Sequence, residues 1–139
     1  MKAISLWQPW ASAIALGYKH VETRHWSTTY RGPLAIHAAI RWTQEQRDFA
    51  AGERALGRLP KMVPLGAIVA TCHLVDVRPT DELKFTVSAI ERIYGNYDSG
   101  RYGWVLEDIT PLDDPIAFKG KQGFFNVPNK VFQMVAVQL

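Results

Sequence analysis

A lysine, a glutamate and an arginine stand within six positions near the N-terminus, at Lys19, Glu22 and Arg24. A lysine and a carboxylate in one pocket supply a cation for a phosphate or developing oxyanion, and a group that moves protons. The planar guanidinium of Arg24 can bind a phosphate or a base edge through two parallel hydrogen bonds. An equal alternative is that Arg24 forms a salt bridge that holds Glu22 in place. The spacing alone fits either a solvated ion-pair ladder or a site for an anionic ligand, and the complete Gly17-x-Lys19-x-x-Glu22-x-Arg24 motif favours the site, with Lys19 and Glu22 as candidate catalytic residues.

The elements on either side of these residues predict how they are positioned. Pro9 suits the first turn of a helix and Gly17 suits the left-handed residue after its last turn, so we expect a helix of roughly two turns. Residues 21–24 alternate at the period of a strand, which places Glu22 and Arg24 on one face. Lys19 lies in the intervening turn and can swing to that face. We expect Lys19 and Glu22 at the rim of a cleft, where replacing an accessible charge changes stability by less than about 0.5 kcal/mol.

The remaining chain predicts alternating short elements around a mixed sheet closed into a barrel, with helices outside. The run 67–77 is the longest β-branched stretch and is predicted to be the central strand. Thr43 and Gln46 form a capping box that opens a helix through about Leu56. The other predicted elements are strands at 34–39, 102–109 and 131–139, and a helix from Asp81 to about Ile93.

A complete Gly17-x-Lys19-x-x-Glu22-x-Arg24 motif follows the segment Gln8-Pro9-Trp10-Ala11-Ser12. Together these stretches resemble the activating signal cointegrator homology (ASCH) domain. Further similar stretches lie at 30–38, 64–69, 102–106 and 119–125, so the resemblance covers essentially the whole chain. It implies an α+β fold, a small mixed β-barrel of the pseudouridine synthase and archaeosine transglycosylase (PUA-like) type, with short helices packed outside. It also implies a cleft where the motif meets the barrel.

The resemblance implies two classes of function. In the first, the chain is a binding module for RNA or a modified nucleoside, with an aromatic side chain on the base and phosphate contacts from Lys19, Arg24, Arg31, Lys119 and Lys121. In the second, it is a small metal-independent hydrolase acting on acylated cytidine or RNA. The cytidine-deacylating members use a lysine, a threonine and a distant glutamate. Lys19 matches the lysine, but Glu22 occupies the threonine position, so that nucleophile is absent unless Glu22 activates a water.

Several other side chains are candidate ligand contacts. Gln8 carries the donor and acceptor that a base edge requires, with helix capping as its alternative role. We expect one of the tryptophans at positions 7, 10 and 26 to stack on a base, and Trp10 is our candidate. His37 is expected to face outward beside two alanines, with a structural barrel histidine as the alternative. The resemblance implies that the loop 119–123 borders the cleft, where Lys119, Lys121 and Gln122 contact the nucleic-acid backbone; its alternative is a charged hairpin turn.

Composition limits the domain number, the class of ligand and the kinds of site that the chain can have. A chain of 139 residues with 47% hydrophobic content predicts a single domain spanning residues 1–139, and the net charge of +3 points weakly toward polyanions. The lone Cys72 predicts a core side chain in a reducing cytoplasm. No run of about eighteen apolar residues predicts a membrane span. The histidines, Cys72 and the acids lack zinc-binding spacing and no phosphate loop is present, so neither a metal nor a cofactor is expected, and any hydrolysis should survive a chelator.

Overall fold

The computed structural model describes the backbone of residues 1–137 and the side chains of residues 1–133. Within that range the strands are β1 (Lys2–Leu6), β2 (Val21–Arg24), β3 (Gly32–Ala38), β4 (Ala67–Pro79), β5 (Tyr102–Ala117) and β6 (Phe124–Asn126). The helices are α1 (Trp10–Ala15), α2 (Gln44–Ala55), α3 (Thr80–Leu83), α4 (Ala89–Ile93) and α5 (Asn129–Val137). No helix among these residues is long and apolar enough to cross a membrane.

The six strands form one mixed sheet in the order β2-β5-β4-β3-β1-β6, in which only the β1–β3 pair is parallel. The predicted central strand is confirmed as β4, which lies between β3 and β5. The sheet curls into a half-barrel, and the α+β class is confirmed. Its end strands β2 and β6 do not pair, but Trp26 packs edge-on against Phe124 with ring centroids 5.6 Å apart. Aromatic side chains therefore span the opening between the two ends of the sheet.

Strand β3 buries both of its faces. Leu34 and Ile36 lie in the larger core cluster with Trp104, as their alternation predicts. The outward orientation expected for the face that carries His37 and its neighbouring alanines is wrong, because Ala35 is buried in a second cluster with Phe125. The curl of the sheet brings β6 across this face, which the two-residue period of β3 alone does not reveal.

The helix boundaries follow local capping signals. Gly17 has φ +85°, as the end of α1 requires, and the Thr43–Gln46 capping box at the start of α2 is confirmed. The predicted helix from Asp81 to about Ile93 is instead two short helices, α3 and α4. The Ser88 hydroxyl accepts a hydrogen bond from the Glu91 N–H, and this new N-cap starts α4.

The predicted strand at 131–139 is wrong over its described part, because residues 129–137 are the helix α5. Val131 N–H donates to the Pro128 carbonyl as that helix begins. Strand β6 takes the edge position beside β1, and the chain then turns into α5 at Asn129. Residues 138 and 139 of the predicted strand lie outside the described residues.

Candidate functional site

A cleft of about 1670 Å³ opens beside β2, at the end of β1 and beneath the loop 118–123. Its described lining holds one carboxylate, Glu22, and four cationic side chains, which are Arg24, Arg101, Lys119 and Lys121. It also holds three tryptophans, which are Trp7, Trp10 and Trp26. Two amide side chains, Asn96 and Gln122, and two imidazoles, His25 and His37, complete its polar lining. The cleft is therefore electropositive and aromatic along its described lining.

Lys19 lies in the interior and not at the rim, so the predicted position is wrong. Its side chain has no exposed surface, and its ammonium donates to the carbonyls of Val21 at 2.7 Å and Tyr94 at 2.6 Å. The third neighbour of Nζ is Glu22 Oε1 at 3.3 Å. Burial lowers the pKa of Lys19, because an ammonium loses its hydration in the interior, while Glu22 and Glu91 oppose the shift. All three ammonium donors therefore have partners inside the protein.

Glu22 connects this buried lysine with the cleft. It is 9% exposed and lines the cleft, and its Oε2 lies 3.0 Å from Arg24 Nε on the same face of β2. That N–H does not point at the carboxylate, so the contact is an ion pair without a formed hydrogen bond. Arg24 Nη2 donates instead to the Ser5 carbonyl at 2.8 Å. The prediction that Glu22 and Arg24 share a face is confirmed, and Arg24 both pairs with Glu22 and reaches the cleft.

Tyr94 connects Lys19 to helix α2 through two hydrogen bonds. Its carbonyl accepts from Lys19, and its hydroxyl donates to Glu53 Oε2 at 2.7 Å. Glu53 in turn accepts from Arg58 Nε at 2.5 Å. This hydrogen bond holds the pKa of the Glu53 carboxyl below its ordinary value of 4.5. A chain of buried charged contacts therefore runs from α2 to the floor of the cleft.

Two predicted ligand contacts lie outside the cleft. Gln8 has no exposed surface, and its side chain binds Ser12 N, Ser12 Oγ and the Pro64 carbonyl at 2.7–2.9 Å. This is the alternative capping role, and it leaves the amide no free group for a base. Arg31 is exposed, donates to the Thr28 and Tyr30 carbonyls, and lies 3.7 Å from Asp76. It lies beside Asp76 of β4 and is not part of the described cleft lining.

The three tryptophans of the cleft differ in their exposure. Trp10 stacks on Phe49 with centroids 5.3 Å apart, and Trp26 packs edge-on against Trp104 at 4.7 Å. Trp7 is 49% exposed, and the guanidinium of Arg41 lies 4.4 Å from its ring centroid. Trp7 is therefore the tryptophan with the most accessible surface for a ligand, although all three line the cleft.

His37 is buried, in contrast to the outward orientation predicted for it. Its Nδ1 lies 2.9 Å from Ser5 Oγ and its Nε2 lies 2.6 Å from the Phe118 carbonyl. Gly120 covers the ring, since a Cβ at that position would lie 2.5 Å from His37 Cε1. The loop 118–123 is not a hairpin turn, because β5 and β6 are not neighbours in the sheet. It crosses the cleft and places Lys119, Lys121 and Gln122 in the lining, as the resemblance implied.

Sequence reasoning missed Ser5 and Arg101 as cleft residues. Ser5 follows two buried residues in β1 and carries no motif, and its pairing with His37 depends on the parallel β1–β3 register. Arg101 donates to the Thr23 carbonyl at 3.3 Å from 78 positions away. A strand prediction for residues 2–6 would have placed Ser5 on a defined face, but no local signal marks Arg101.

Comparisons with known proteins match this architecture. The family model of the ASCH domain matches residues 4–113. Activating signal cointegrator 1 is 33% identical over 87 residues in Homo sapiens and 35% identical over 79 residues in Mus musculus. These stretches cover 58% and 52% of this chain but 15% and 14% of the relatives, so the chain spans a small part of their length.

Solved structures of an ASCH protein from Zymomonas mobilis share the fold along nearly the whole chain. One matches with a TM-score of 0.59 and 18% identity, and covers 98% of this chain and 93% of that chain. A mutant form of the same protein matches with a TM-score of 0.59 and 19% identity, over 99% and 94% of the two chains. At this level of identity the likeness concerns the fold alone.

Proposed function

The chain belongs to the ASCH domain family, and on this premise we propose that its cleft binds single-stranded RNA, including modified nucleosides within it. The observation that carries the proposal is the cleft lining, in which four cationic side chains and three tryptophans accompany a single described carboxylate. Single-stranded nucleic acids are bound by this combination of positive charge along the backbone and aromatic faces for the bases.

The size of the cleft favours a polymer segment over a free nucleoside. Sites for small ligands have volumes of roughly 300–1,000 Å³. The cleft here is larger, at about 1670 Å³, and the loop 118–123 forms part of its lining. An RNA segment can therefore place one base in the aromatic part while adjacent phosphates reach the lysines of the loop.

The proposed RNA contacts divide into contacts with phosphates and contacts with bases. Lys119 and Lys121 are exposed on the loop and suit phosphate oxygens, whereas Arg24 is held at the floor near Glu22. Trp7 and Trp10 are the proposed base platforms, and Gln122 supplies an amide at the loop. Glu22 is the one carboxylate of the described lining, so it can accept a hydrogen bond from an exocyclic amino group of a base.

A metal-independent hydrolase that uses Lys19 and Glu22 is the alternative, and the structure supports it less. Lys19 has no exposed surface and its three donors are engaged, so a substrate in the cleft meets Glu22 but not the ammonium. Under this alternative, Glu22 would activate a water, and the Lys19 ammonium would stabilise the negative charge of the Glu22 carboxylate. Turnover of RNA or acylated cytidine by the wild type that is absent from folded Glu22→Gln would favour it.

The test is the salt dependence of binding to a short fluorescein-labelled RNA of mixed sequence, measured by anisotropy. Four cleft cations predict that log affinity falls with log salt at a slope of about −2 to −4, since a single strand contributes roughly 0.7 per neutralised phosphate. The double variant Lys119→Ala/Lys121→Ala should flatten the slope by about 1.4. The matched control Lys61→Ala removes an exposed lysine outside the cleft lining and should leave the slope unchanged. Absent or salt-independent RNA binding would contradict the proposal.

A further inference from the structure

Ser5 and His37 form a hydrogen-bonded pair in the wall of the cleft. They are direct partners in the parallel register of β1 and β3, so their side chains leave the sheet side by side. Ser5 Oγ lies 2.9 Å from His37 Nδ1, and both residues line the cleft. Ser5 is partly exposed in this wall.

The partners of the imidazole fix which nitrogen carries the proton. The Phe118 carbonyl, 2.6 Å from Nε2, can only accept a hydrogen bond, so Nε2 is the protonated nitrogen. In the neutral imidazole, Nδ1 then has a free lone pair and accepts the hydrogen bond from the Ser5 hydroxyl. This is the arrangement of an activated nucleophile, with a hydroxyl, a neutral base in contact with it, and a third group that orients the base.

We propose that Ser5 is a nucleophile and His37 its general base in the hydrolysis of an acyl ester carried on a ribose hydroxyl of a nucleotide. Ser5 Oγ forms a bond to the acyl carbon as its proton passes to His37 Nδ1. The tetrahedral intermediate collapses with cleavage of the ester C–O bond, and the ribose oxygen leaves with the proton from Nδ1. Water then attacks the acyl-serine through the same base, which releases the carboxylic acid and restores the Ser5 hydroxyl.

The surroundings of Ser5 favour an anionic acyl carrier. Arg24 donates from Nη2 to the Ser5 carbonyl at 2.8 Å, so a guanidinium lies beside the nucleophile. Lys119 and Lys121 flank Gly120, which covers the His37 ring. The nucleotide part of the substrate rests on the proposed function, whereas the reactivity of Ser5 depends only on the Ser5–His37 geometry.

A fluorophosphonate probe, which labels activated serines, tests the nucleophile without RNA. With a chelator present, we expect one adduct on the intact protein, mapped by peptide mass spectrometry to Ser5 and lost in His37→Asn. Ser27→Ala, which removes an exposed serine of the β2–β3 loop, should label like the wild type. A wild-type protein that forms no adduct, or that forms it on another residue, overturns the proposal.

The variant Ser5→Cys tests the base independently of the serine probe. Cys72 is the one natural cysteine, and burial raises the pKa of its thiol to about 12, so the introduced thiol is the reactive one in the folded protein. A neighbouring imidazole lowers a thiol pKa, so Ser5→Cys should react with iodoacetamide at neutral pH at least about tenfold faster than Ser5→Cys/His37→Asn. Equal alkylation rates in the two variants overturn the role of His37.

The substrate class is tested with a short RNA acylated on its terminal ribose hydroxyl. The wild type should bind the unacylated RNA and release the acid from the acylated RNA, and Ser5→Ala should lose the release. A serine that labels with the probe but leaves the acylated RNA intact overturns the substrate assignment. Absent RNA binding with a labelled Ser5 contradicts the proposed function and not the nucleophile.

Discussion

Lys19 Nζ lies 3.3 Å from Glu22 Oε1, beneath the surface of the cleft that Glu22 itself lines. The other oxygen of this carboxylate lies 3.0 Å from Arg24 Nε, so one acid is held between two cations. Glu22 is the member of the motif that reaches both the interior and the ligand cleft. The motif therefore forms a buried support for the cleft floor, and its lysine lies beneath the described cleft lining.

Removing either partner of this buried pair should destabilise the fold. Lys19→Met leaves Glu22 and two carbonyls without their donor, and Glu22→Gln leaves the ammonium without its counter-charge. Breaking a buried ion pair by losing one partner costs about 3–5 kcal/mol, and we expect a loss of that size for each variant in urea unfolding. As a control, Lys84→Ala breaks a surface pair with Asp81 and should change stability by less than about 1 kcal/mol. Wild-type stability in both Lys19→Met and Glu22→Gln would contradict a supporting role.

The sequence predicts the parts of this site that depend on local periodicity. The two-residue alternation of β2 correctly places Glu22 and Arg24 on one face. The depth of Lys19 is not local, because it depends on the carbonyl of Tyr94, which lies 75 positions further along the chain. The accessible rim position expected for Lys19 was wrong for this reason. The same limit applies to Ser5, whose partner is set by a long-range strand register.

In the fold, as in the site, elements with strong local signals were predicted and elements that depend on distant contacts were not. The capping box at Thr43 and the β-branched run of β4 are strong local signals, and both elements were found where predicted. The apolar run after residue 130 fits a strand or a helix equally well by pattern. In the structure β6, a three-residue strand, takes the edge beside β1, and the apolar run forms α5 instead. So short a strand gives almost no sequence signal of its own.

Glu53 should make stability depend on acid pH. Its folded pKa is depressed by Arg58, so below its ordinary value of 4.5 the unfolded chain binds more protons than the folded one. The stabilisation is present above that pH and is lost as pH falls toward the folded pKa. Glu53→Gln cannot titrate, so its urea-unfolding free energy should be lower at neutral pH and fall less steeply in acid. Parallel pH curves for the two proteins would show that Glu53 does not contribute.

Trp7 should contribute to RNA affinity with little effect on the fold. It is half-exposed at the cleft, and stacking of a base on an aromatic side chain is worth about 1–3 kcal/mol. Trp7→Ala should therefore weaken binding of the labelled RNA by roughly 5- to 150-fold at constant salt. Phe85→Ala removes a more exposed aromatic outside the cleft lining and serves as the control. Unchanged affinity in Trp7→Ala would assign the stacking role to Trp10 or Trp26.

Gly120 should be required for the position of the His37 ring. A methyl group at this position would lie 2.5 Å from His37 Cε1 and 2.6 Å from Nδ1, so either the ring or the loop must move. We expect Gly120→Ala to destabilise the protein by about 1–3 kcal/mol through overpacking, and to reduce fluorophosphonate labelling of Ser5 as the base is displaced. Gly52→Ala is the matched control, because a Cβ there meets no atom within 4 Å in the exposed face of α2. That variant should gain about 0.5–1 kcal/mol from helix propensity and label like the wild type. Wild-type labelling together with wild-type stability in Gly120→Ala would show that the loop adjusts without moving His37.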